Sequence, residues 1–99
     1  MLNIEKKQEG TSLTVALRGR LDTTTSPELE MNLKESLPGV NTLTLDFAKL
    51  DYISSAGLRV LLSAHKTMSK SGGMRVVNVN EMVMEVFEVT GFSDILTLS

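Results

Sequence analysis

The chain has no cysteine and no tryptophan, one tyrosine, one histidine and two prolines among its 99 residues. Without cysteine there is no disulfide, no thiolate metal site and no cysteine nucleophile, which fits a reducing compartment. A single histidine cannot make a zinc site of the usual kinds, although carboxylate sites for magnesium stay open. His65 also lies ten residues after Ser55 on one proposed helix, about 15 Å along its axis, so the two cannot form a Ser–His pair. The four aromatic residues are too few for a single-strand stacking platform. Nor is there a concentrated basic footprint: the ten basic residues are scattered and the net charge is −2, which argues against direct nucleic-acid binding. No apolar run approaches the roughly 20 residues of a membrane span. Met1 to Lys7 lacks the apolar stretch of a signal peptide. The expected location is therefore the cytoplasm, with no membrane partner. A glycine-rich phosphate loop ending in Lys-Ser or Lys-Thr is also missing.

What is present is an ordinary globular composition, 41% apolar and 22% charged, in a length suited to one domain over residues 1–99. Six methionines spread along the chain read as core filler. A weak strand pattern from Leu2 to Gln8 is followed by a turn at Glu9-Gly10-Thr11. Leu13, Val15 and Leu17 then alternate with polar or small neighbours as a half-buried strand does, running on to Leu21. The polar run Asp22 to Ser26 precedes Pro27, which opens a helix. Ser26 is the expected N-cap, although Thr25 and Glu28 also have capping-box spacing. Leu29, Leu33 and Leu37 form its apolar stripe, and Pro38-Gly39 ends it.

Leu43, Leu45 and Phe47 mark another strand, with Ala48 to Ile53 read as a connector. A second helix is expected from about Ala56 to Ser71, a strand over Met74 to Val79, and a third helix over Glu81 to Thr90. A short apolar tail with Phe92, Ile95, Leu96 and Leu98 should dock on the sheet. Strands separated by helices favour parallel pairing, and clean alternation in two strands leaves one sheet face more exposed. The expected fold is α/β: a mixed central sheet of about four to five strands, with helices mainly on one face.

The chemically informative segment is Tyr52-Ile53-Ser54-Ser55-Ala56-Gly57-Leu58-Arg59-Val60-Leu61-Leu62. It places two serines and small residues where a helix begins, and free backbone N–H groups with the helix dipole favour an anion there. Either serine could equally be the N-cap of a buried helix. Asp22 with Thr23 and Thr24 is a second polar constellation, which either forms the turn and caps the first helix or faces a partner. Arg59 is either a partner contact or a solvated charge.

The same segment resembles the phosphorylation loop and following helix of STAS domains, and more narrowly those of bacterial anti-sigma factor antagonists. Gly19-Arg20-Leu21-Asp22, Gly72-Gly73-Met74 and Phe87-Glu88-Val89-Thr90-Gly91-Phe92 fall in the order of that family. The resemblance implies that the chain is a substrate of a serine kinase and not an enzyme. Its phosphoacceptor would be Ser55, two residues before the loop glycine. Asp22, Thr23, Thr24, Ser54, Ala56, Gly57 and Arg59 would shape the surface the partner meets. Many such proteins carry Asp where this chain has Ser54.

It further implies that the unphosphorylated form binds an anti-sigma factor that is itself the kinase, freeing a sigma factor, and that phosphorylation abolishes the binding. A phosphatase would be a further partner. No cofactor is implied for this chain, since ATP and magnesium belong to the kinase. The expected state is a monomer or weak dimer. An alternative function is a non-phosphorylated STAS scaffold or ligand-sensing module within a larger regulatory assembly.

Overall fold

The computed structural model describes residues 2–98. Five strands form one sheet whose spatial order is their order in the chain: β1 (Leu2–Glu9), β2 (Ser12–Leu21), β3 (Thr42–Ile53), β4 (Met74–Val77) and β5 (Thr97–Leu98). β1 and β2 are an antiparallel hairpin, and the remaining pairings are parallel. Three helices fill the connections: α1 (Ser26–Ser36), α2 (Ser55–Met68) and α3 (Glu81–Thr90). A 3-10 turn at Phe92–Asp94 leads into β5. Among the described residues no helix is long and apolar enough to cross a membrane.

The alternation that marked the strands also places the core. Leu13, Val15 and Leu17 of β2, with Leu43, Leu45 and Phe47 of β3, are buried on one face. Against them pack Leu29 and Leu33 of α1, Leu58, Leu61 and Met68 of α2, and Val83 and Phe87 of α3, in a single cluster. The opposite face carries Thr14, Ala16, Thr44 and Asp46, all only partly buried. The mixed sheet with helices on one side is thus as the patterning predicts.

Several boundaries differ from the sequence reading. The stretch from Ala48 to Ile53 is not a connector but the second half of β3. From Ala16 to Arg18 on β2 the partner residues run from Asp46 to Lys49, and from Gly19 to Arg20 they run from Leu50 to Tyr52. β3 therefore holds one extra residue at each step, two β-bulges that move its buried positions from Phe47 to Leu50 and Ile53 and break the period of two. The tail does more than dock: Thr97 and Leu98 add a fifth strand beside β4.

α2 begins at Ser55 and closes at Met68, because Gly73, with φ near +99°, donates its N–H to the Met68 carbonyl at 3.0 Å. β4 stops at Val77, since Asn78 takes a left-handed φ of 58° and donates from Nδ2 to the Asp46 carboxylate at 3.1 Å. At the start of α1 the N-cap is Thr25 rather than Ser26. The Thr25 hydroxyl does not cap the helix: it donates to the Arg20 carbonyl and accepts from the Asp22 N–H, each at 2.8 Å.

Candidate functional site

β2 and β3 are parallel, so their C-terminal ends lie side by side and deliver the chain into α1 and α2 at the same edge of the sheet. Such edges, where strands hand over to helices, collect functional groups because N–H donors and loops converge there. The Ser54 N–H donates to the Leu21 carbonyl at 2.9 Å and ties the turn before α2 to the end of β2. Asp22 to Thr25 and Ser54 to Ala56 are thereby neighbours.

The two serines have different jobs. Ser54 is the N-cap of α2, in extended conformation, and its Oγ accepts from the Gly57 N–H at a long 3.5 Å. Ser55 is the first residue of the helix and is exposed, and its hydroxyl has no hydrogen-bond partner among the described residues. α1 and α3 each carry a glutamate in the first turn, Glu28 and Glu81, whereas α2 has no acidic residue there. The positive end of the α2 dipole is left without a built-in anion, beside a free hydroxyl.

Asp22 is committed to its own turn. Its Oδ1 accepts from the Thr24 hydroxyl at 2.7 Å, the Thr24 N–H at 3.0 Å and the Thr25 N–H at 3.1 Å. The Thr24 hydroxyl is the largest influence, and with the backbone N–H groups it outweighs partial desolvation and lowers the carboxyl from 3.8 to about 2. Of the two roles the sequence left open for Asp22, the turn-forming one is filled.

Thr23, Ala56 and Arg59 come together with Ser26 and Pro27 around a shallow depression of about 180 Å³ between the first turns of α1 and α2. Thr24 is exposed and turned to Asp22. Gly57 is buried beneath the first turn of α2. A β-carbon there would lie 2.8 Å from Leu21 Cγ and 2.9 Å from Ile53 Cγ1, so its part is to let α2 approach the sheet.

Sequence reading missed a pair at this edge. Arg20 lies over the Tyr52 ring, 4.3 Å from its centroid, with Nε 3.8 Å from Asp22 Oδ2. The two residues are register partners across β2 and β3, but the bulges in β3 hide that register from the sequence. His65 faces the far end of α2, in a cleft lined by Ser69, Gly72 and Gly73.

An α/β recognition module is thereby defined, with a free serine at a helix start and a firm polar turn beside it. Residues 3–99 match the STAS domain family, and the chain belongs to it. It is 30% identical over 100 residues to the anti-sigma F factor antagonist of Paenibacillus polymyxa, covering 98% of this chain and 86% of that protein. The crystal structure of an anti-sigma factor antagonist from Mycobacterium paratuberculosis has the same fold, with a TM-score of 0.90 at 20% identity over 99% of this chain and 85% of that one. The Bacillus cell fate determinant SpoIIAA in its phosphorylated form matches with a TM-score of 0.76 at 16% identity, covering 98% of this chain and 91% of that one.

Proposed function

We propose that this chain is an anti-sigma factor antagonist whose binding is switched by phosphorylation of Ser55. The observation that carries the reading is the division of labour between the two serines: Ser54 is spent on the N-cap, while Ser55 stands exposed with a free hydroxyl. The names of its relatives and the phosphorylated form of a structural neighbour support the same reading.

In the unphosphorylated state the first turns of α1 and α2, with Thr23, Ala56 and Arg59, form the surface that meets an anti-sigma factor acting as serine kinase. Asp22 and Thr24 hold that surface in shape, and Gly57 sets the depth of α2. The partner supplies ATP and magnesium, and a phosphatase returns the chain to its binding form. These events belong in the cytoplasm. A phosphoryl group on Ser55 brings about −1.5 to −2 charges to the centre of the surface. The α2 N-terminus stabilises that charge in the free chain, whereas docking would strip it of water, so the modified form is released.

Incubation with the cognate kinase and Mg-ATP, followed by intact mass and peptide mapping, tests this directly. One phosphoryl group is expected on wild type and on Ser54→Ala, and none on Ser55→Ala. The unphosphorylated chain should co-elute with the kinase in size exclusion and separate from it once modified. Phosphate on Ser54 would move the site. Absence of both phosphorylation and complex would overturn the switch and leave a scaffold role in its place.

A further inference from the structure

At the opposite end of the sheet from Ser55 lies a cleft of about 630 Å³ that the switch does not use. One wall belongs to the face of the sheet that carries no helix. There the strand register sets Thr14, Thr44, Arg75 and Thr97 in one row across β2, β3, β4 and β5. Past Gly72 and Gly73, at the end of the sheet, the cleft turns towards the last part of α2, where His65 and Ser69 line it.

Three features mark the cleft as more than a solvated surface. No carboxylate lines it. Arg75 is exposed and has no acidic partner among the described residues, where the ion pairs are Lys7–Glu9 and Arg20–Asp22. Its Nε donates to Thr44 Oγ1 at 3.2 Å, which fixes the plane of the guanidinium and leaves both Nη groups unused among the described residues.

We infer that this cleft is a second binding site, for a small phosphorylated polyol such as a sugar phosphate. A guanidinium held in one plane with its outer nitrogens free is suited to a bidentate oxyanion. A carboxylate-free wall does not repel that anion. The threonine hydroxyls donate and accept in turn, as a ligand rich in hydroxyls requires. Thr44 to Ile53 spans most of β3, so the cleft lies far from Ser55 and its occupancy is independent of the phosphorylation reading.

The test is an amide NMR titration of the full chain with glucose 6-phosphate, inorganic phosphate and glucose. Glucose 6-phosphate should give saturable shifts at Thr44, Gly73, Arg75 and Thr97, with a Kd on the order of 1 mM. Inorganic phosphate should bind the same residues more weakly. Arg75→Gln, at an exposed position and with an otherwise unchanged spectrum, should weaken both by about tenfold or more. Equal affinity for the two phosphates would overturn the polyol assignment. Shifts confined to Ser55–Arg59, shifts untouched by Arg75→Gln, or no saturable shift with either phosphate would overturn the site itself.

Discussion

Asp22 shows how a residue picked out as a partner contact can be a local organiser first. Its carboxylate gathers Thr24 and Thr25 into a turn, and those bonds require the charged form. The folded-state value of about 2 lies below the ordinary 3.8, so its contribution is complete above 3.8 and fades as pH falls towards 2. Asp22→Ala should therefore lower the urea midpoint at neutral pH, and the gap to wild type should narrow across that acid window. A gap of constant size at every pH would show that the charge is irrelevant. The serines teach the converse. Ser54 and Ser55 are chemically identical in the sequence, and only the hydrogen bond to Gly57 N–H and the exposure of the second tell them apart. Arg20 and Tyr52 were not legible at all, because a cross-strand stack depends on a register that single-residue bulges reset.

At the scale of elements, the helices were readable and the strands only in part. α1, α2 and α3 each turn an apolar stripe to the sheet, and that stripe repeats in the sequence. β1 gave a faint signal because, beyond Leu2 and half-buried Ile4, its residues are exposed. It is held by pairing along its whole length with β2, which leaves little trace in side-chain pattern. The contact of α2 with the sheet rests on Gly57. Gly57→Ala should destabilise by up to about 2 kcal/mol in urea unfolding, since overpacking against buried Leu21 and Ile53 costs about 1–3 kcal/mol and helix propensity returns about 1. A stabilised variant would mean that propensity alone governs the position and that the close approach is not there.

For the molecule as a whole, one core on one side of the sheet carries the stability. Phe47 and Phe87 are fully buried, with ring centroids 6.4 Å apart, and join β3 to α3. Phe47→Ala should cost about 3–5 kcal/mol, a large share of the roughly 5–15 kcal/mol available to a domain of this kind. Met31→Ala, at a position 64% exposed on α1, should stay within about 0.5 kcal/mol. Urea midpoints for the pair check both, and equal losses would contradict the one-sided core.

The sheet order, identical to the order in the chain, has a consequence for how the protein is made. A polypeptide leaves the ribosome from its N-terminus, and here each new strand finds its partner already at the growing edge. The β1–β2 hairpin can close before any helix exists, and β3, β4 and β5 then add outward one at a time. No strand has to be threaded into a gap kept open for it. Assembly can therefore keep pace with translation, and the time an unpaired edge is offered to neighbouring chains is short.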